Sequence, residues 1–231
     1  MFKKLIIAAI SASFVVSAAF ADSTNIGVRI STANMDASGT ETQDSETANS
    51  DDGRGATISN ASRDASFELP SMFVERSIDM NSGMIMTVGL DFVPLTENVA
   101  TLGGGTGTDA AVKAGNLVTA YIQPTFSLNE MVSVYGKVGY AVGDLEVNNI
   151  TRQATTGGDA ASTDASADKT LQGPVYGLGV QVNRDLGVLS FVRLEATKTD
   201  FDQVTHTNSN GKVLTADAEM ELVTLTIGKS F

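Results

Sequence analysis

The chain reads as an all-β protein: a closed antiparallel up-and-down transmembrane β-barrel of eight strands, exported behind a cleaved signal peptide. Three observations predict this. Residues 218–231, AEMELVTLTIGKSF, alternate Val223, Leu225 and Ile227 with Thr224, Thr226 and Gly228 and end on the aromatic Phe231. That is a period of two, which no helix has. Beyond the amino terminus no apolar run reaches the roughly 18 residues of a membrane helix, so any membrane crossing has to be made by strands. The strand-patterned segments are joined alternately by very short turns and by long polar stretches, which puts every long connection at one end, as transmembrane barrels do.

At the amino terminus Lys3 and Lys4 precede an apolar run from Leu5 to Phe20, and Ala19-Phe20-Ala21 supplies a small-x-small cleavage site. Residues 1–21 are therefore expected to be a signal peptide, with Asp22 the first mature residue. Ser11, Ser13 and Ser17 interrupt the run, which argues against a membrane anchor. The chain has no Cys, so it carries no lipoprotein anchor, disulfide or thiolate metal site. Residues 22–231, about 210 in all, make one barrel domain. Removing the two signal lysines takes the formal charge from −12 to −14, which does not invite nucleic acid.

The first strand is predicted over 24–32, with Ile26, Val28 and Ile30 on one face and Gly27, Arg29 and Ser31 on the other. Residues 33–66, rich in Ser, Thr, Asp and Gly, read as the first external loop. Strands over 67–77 and 84–93 turn through Asp79–Gly83, and the second shows the clearest file, Met84, Met86, Val88, Leu90 and Phe92. A loop over 95–115 precedes strands over 116–128 and 131–147, which turn at Asn129-Glu130. A third loop over 148–170 precedes a strand over 171–183, the turn Arg184–Gly187, and a strand over 188–200. A fourth loop over 201–215 leads to the closing strand. A count of ten strands stays open if residues 57–65 pair.

With the apolar files toward lipid, the opposite files collect Arg29, Glu75, Asp91, Lys137, Arg193 and Glu195, three cations and three anions. An eight-stranded barrel is just wide enough for its own side chains to fill it, so these groups are expected to pair inside. A register slip of one residue would turn all six toward lipid, at about 2–4 kcal/mol for each Arg or Lys near the midplane. Two functions follow from one set of residues. Either the charges form an ion-pair network that fills the barrel of a structural, surface-interacting protein, or they line the narrow lumen of a small porin. The charge balance favours the first; Gly136, Gly139, Gly177 and Gly179, taken as interior space, favour the second.

The eight-strand layout, VSVYGKVGYAVGDLEV over 132–147, GPVYGLGVQVN over 173–183, LSFVRLEATKTDFD over 189–202 and the terminal TLTIGKSF resemble the OmpA and OmpX class of small outer-membrane barrels. The resemblance implies residence in the Gram-negative cell outer membrane, with its lipid and lipopolysaccharide as surroundings. It also implies insertion by the outer-membrane assembly machinery through a terminal signal formed by Phe231, Ile227 and Leu225. Roles in membrane integrity, adhesion or slow solute diffusion go with that class. Lys229 departs from the pattern, standing where the class usually has an aromatic or apolar residue; it either snorkels or weakens the signal.

Nothing in the sequence points to catalysis. His206, the only His, has Asp202 and Thr205 near it but no spacing that assembles a nucleophile and base, and it is expected in an exposed loop. Gly103–Gly107 lacks the Lys-Ser or Lys-Thr of a phosphate loop. The first loop carries Asp36, Glu41, Asp44, Glu46, Asp51, Asp52 and Asp64 against Arg54 and Arg63. These acids read as a repulsive, solvated surface, with divalent cations bridging to lipopolysaccharide phosphates as the sharper alternative. Asp51 and Asp52 are weak metal candidates, too short a motif for a calcium loop. The expectation is a monomer without enzyme activity, cofactor or nucleic-acid partner.

Overall fold

A computed structural model describes residues 23–43, 57–80, 83–102, 108–152, 162–164, 167–207 and 212–231, with side chains over 23–40, 64–80, 83–94, 113–146, 169–205 and 215–231. The expected signal peptide and the metal candidates Asp51 and Asp52 lie outside these residues. The strands are β1 (Ser23–Gln43), β2 (Thr57–Asp79), β3 (Met84–Leu102), β4 (Thr108–Ser127), β5 (Val132–Arg152), a three-residue β6 (Ser162–Asp164), β7 (Ala167–Asn183), β8 (Phe191–Thr207) and β9 (Lys212–Ser230). All pairings are antiparallel. Each long strand pairs with two neighbours, so eight strands close the ring β1-β2-β3-β4-β5-β7-β8-β9, and β6 only extends the β5 ladder. Residues 57–65 do pair, as the outer part of β2 on β1, and add no strand.

The β1–β9 seam runs from Asn25↔Ser230 to Gln43↔Lys212 and is finished by two hydrogen bonds between Thr24 and Phe231, 2.9 and 3.0 Å. Closure leaves no edge, which is what a strand wall in lipid requires. The short turns sit at one end. Asn129 Oδ1 accepts the N–H groups of Met131 and Val132, both at 2.8 Å, and Gly83 and Gly187 take positive φ, 75° and 78°, at no steric cost. Lys229 donates to Gly187 O at 2.8 Å and lies 3.7 Å from Asp185, so it ties the last strand to the β7–β8 turn. The Gly187 N–H and then Lys229 hold the Asp185 carboxyl below its ordinary value.

Near the short turns the barrel wears an apolar belt. Ile26, Val28, Ile30, Met72, Val138, Leu178 and Leu225 all project outward; Leu178 is 73 % exposed. The strands then continue past the belt. They are 17 to 23 residues long, about twice what a bilayer crossing takes, and they run into all four stretches expected to be loops. The loop bounds 33–66, 95–115, 148–170 and 201–215 are corrected accordingly: the described ladders reach Gln43 and restart at Thr57, reach Leu102 and restart at Thr108, reach Arg152 and restart at Ala167, and reach Thr207 and restart at Lys212. His206 thus stands on β8 opposite Leu214, not in a loop.

The physical reason is an inversion of polarity. Below Ile30 and Pro70 the wall is apolar outside and polar inside. Above them Asn34, Asp36, Glu68 and Glu221 face out, while Ala33, Met35, Leu69, Leu171, Phe201 and Met220 pack inside as a core. The outer barrel is built like a water-soluble one.

Candidate functional site

Alternation places Asn25, Gly27, Arg29 and Ser31 of β1 on the inner face, and the register carries this to every neighbour. Glu75 lies inside on β2, Asp91 on β3, Lys137 on β5, and Arg193 and Glu195 on β8. The six predicted charges come together in one layer at mid-barrel. Glu75 is its hub and is 0 % exposed. It accepts from Arg193 through both oxygens at 2.6 and 2.9 Å, from Arg29 Nη2 at 3.2 Å and from the Tyr121 hydroxyl at 2.6 Å. Arg29 Nη1 also donates to Asp91 Oδ2 at 2.8 Å, and Lys137 donates to Glu195. Since β8 and β2 are three strands apart around the ring, the Arg193–Glu75 contact crosses the lumen.

Four aromatic rings complete this layer. Arg29 stacks on Phe73 at 4.6 Å, Lys137 on Tyr121 at 4.5 Å and Arg193 on Phe191 at 4.3 Å, contacts that favour a cation over a ring face. The rings lie across glycines of adjacent strands. A Cβ on Gly89 would meet the Tyr121 ring at 2.4 Å, one on Gly179 the Tyr135 ring at 2.3 Å, and one on Gly228 the Phe191 ring at 2.3 Å. The expectation that interior glycines leave space is therefore corrected. Gly179 is covered by Tyr135, Gly139 by Tyr121, and Gly177 by Thr197, while Gly136 stands on the outward face of β5 between the buried Tyr135 and Lys137.

Beneath the charges Asn25 donates to Ser77 at 3.1 Å, and Ser77 bonds Thr87 at 2.9 Å. Gln181 Oε1 accepts from Arg193 Nε at 2.5 Å. Tyr121, Asn25 and Gln181 are site residues that the sequence reading missed. Parity within β4 and β7 marks them as inward, but only the cross-strand stagger shows which charge each one meets. Phe231, Ile227 and Leu225, the expected assembly signal, all project from the barrel's outer surface.

Outside the belt the acids of β1 and β2 meet. Asp36 pairs in register with Asp64 on one side and Glu219 on the other. The Asp36 carboxyl is raised from its ordinary value, first by its hydrogen bond with Asp64, then by burial and the surrounding negative charges. A raised acid opposes folding while ionised, and the opposition fades as pH falls through the raised value. Asp36→Asn is therefore expected to increase resistance to urea near pH 7 and to make no difference below about pH 3, where the carboxyl is protonated anyway. Equal urea midpoints near pH 7 would remove the repulsion. Among the described residues no group of three or more His, Cys, Asp or Glu is arranged to hold a metal ion.

No protein-family model and no curated protein matches the chain. Solved structures do. The outer membrane protease OmpT of Escherichia coli aligns over 91 % of this chain and 97 % of its own, with 8 % identity and a TM-score of 0.50. The outer membrane protein OprG of Pseudomonas aeruginosa aligns over 91 % and 97 %, with 14 % identity and a TM-score of 0.49. Ail, the attachment invasion locus protein of Yersinia pestis, aligns over 89 % and 98 %, with 12 % identity and a TM-score of 0.37. These likenesses are of fold. With its closed eight-strand wall and apolar belt, the chain has the fold of a transmembrane β-barrel, as the outer-membrane barrels it is similar to do.

Proposed function

We propose that this is a structural, surface-interacting barrel whose interior is filled by an ion-pair network and whose function lies in what it holds outside the membrane. The observation that carries this is the Glu75 hub, where Arg29 from the neighbouring strand and Arg193 from across the lumen reach one carboxylate. Three cations and three anions balance in that layer, so the charges are best served by one another. We propose further that the protein is non-catalytic and monomeric and is inserted through its last strand. The acids above the belt, Asp36, Asp64, Glu219 and Glu221 among them, face outward as a solvated, mutually repulsive surface toward the lipopolysaccharide layer.

Single-channel recording of the refolded mature protein in a planar bilayer tests this reading. The wild type is expected to show no discrete conductance steps, and Lys137→Ala and Arg193→Ala are expected to unfold at lower temperature. Steps in the wild type whose ion selectivity changes in those variants would make it a small porin instead.

A further inference from the structure

The β2–β3 ladder ends early. It pairs Met72–Asp79 with Ile85–Phe92 and, among the described residues, goes no further, although β2 starts at Thr57 and β3 runs to Leu102. The sequence explains why. At the hairpin Met80 N–H donates to Met84 O at 2.9 Å, which puts the even-numbered residues of this ladder in the hydrogen-bonded pairs. Continuing the register two residues past Met72↔Phe92 sets Pro70 against Pro94, both exposed on the outer face. Such a pair should exchange two N–H donors, and proline has none. Pro174 ends the β7–β8 ladder in the same way, just beyond Val175↔Thr199, but there Gln172 bridges to Asp202 at 3.0 Å.

The β2–β3 split opens where the apolar belt ends, and behind it the interior is hollow. A cavity of about 40 Å³ lies between the charged layer and the outer core, with Arg29, Asp91 and Ser71 on its floor and Leu69, Val93 and Leu117 as its walls. A second, of about 30 Å³, continues upward among Met35, Phe67, Leu69, Val93 and Met220. Phe67 and Leu69 of β2 and Val93 of β3 flank the split directly. On the floor, Arg29 Nε and Asp91 Oδ1 are buried with no hydrogen-bond partner among the described residues. Arg29 is 4 % exposed. A buried donor and a buried acceptor without partners are each costly unless something satisfies them.

We infer that this chamber binds a small neutral amphiphile, an apolar body ending in a hydroxyl group, which enters sideways from the outer face of the membrane between β2 and β3. The hydroxyl donates to Asp91 Oδ1; a carboxylate at that place would be repelled by Asp91. The apolar body lies among Leu69, Val93 and Leu117. The two cavities together have room for on the order of five water-sized groups, and the methionines Met35 and Met220 adapt to a little more. The inference rests on the proposed plug in one respect, namely that the charged layer is a closed floor.

The methionines also report. In mature protein with ¹³C-labelled methionine methyls, held in lipid nanodiscs, 1-hexanol is expected to shift Met35 and Met220 saturably, while the outward Met72 and Met86 drift linearly as the alcohol enters lipid. Hexanoate is expected to bind at least tenfold more weakly. Val93→Phe, or Leu117→Phe if the first fails to fold, should abolish the saturable response. Pro70→Val with Pro94→Val restores two donors, and should slow exchange at least tenfold by zipping the ladder. Linear drift at all four methionines, equal binding of hexanoate, or unchanged exchange in the double variant would each overturn the inference. Conductance and this titration fail independently: a conducting barrel sinks the plug, and a silent one without the saturable site sinks the chamber.

Discussion

Glu75→Ala is expected to cost the barrel about 3–5 kcal/mol, because it leaves two buried guanidinium groups without their shared carboxylate. Arg193 loses both of its bonds to that carboxylate, and Arg29 keeps only Asp91 and Tyr121. Both side chains are almost fully buried, so water does not replace what is removed. Glu75→Gln keeps an acceptor and the volume but loses the charge, and belongs between the two. Urea unfolding of protein refolded into lipid vesicles measures the series. A loss under about 1 kcal/mol for Glu75→Ala would mean that the arginines find other partners and that the hub is dispensable.

The second large effect is expected at the closing seam. A Cβ on Gly27 would stand 2.1 Å from the Ile227 carbonyl oxygen, 2.7 Å from the Phe73 ring and 2.8 Å from Gly228 Cα. Two of those three obstacles are backbone, and neither can move without parting β1 from β9. Gly27→Val is therefore expected to block closure, so that no folded band runs ahead of the unfolded one on an unheated gel. Gly39 on the same strand is the control: a Cβ there meets only Thr215 O, at 3.4 Å. Gly39→Ala should fold like the parent. A folded Gly27→Val band of ordinary heat resistance would sink the claim that β1 and β9 need this contact.

The membrane-crossing half of each strand was legible because lipid enforces the alternation: Val223, Leu225 and Ile227, or Met86, Val88 and Leu90, have to face out together. The six interior charges were legible for the same reason. Their pairing was not, since it depends on the stagger between strands that are far apart in sequence, and Tyr121 between Arg29 and Glu75 gives no sign of its role in its own neighbourhood. The outer halves were misread as loops because the inward residues there are partly small, Ala33, Ala37 and Ala65, while Asn34, Asp36, Ser66 and Asp64 face out. Periodicity is still present in that stretch. Its amplitude is low and its phase is reversed, so it does not register as an apolar strand beside the Ile26–Ile30 file. Gly136 was misassigned more simply, by counting glycines as interior without checking parity.

The inversion of polarity also fixes a height. From Thr32 to Thr42 β1 stays paired on both sides for eleven residues beyond the belt, a rise on the order of 30 Å at the tilt of a small barrel. β1 with its two neighbours thus stands well clear of the lipid surface, a reach that does not depend on the connections. A partner too bulky to approach the bilayer through a sugar layer can still meet this protein at its rim.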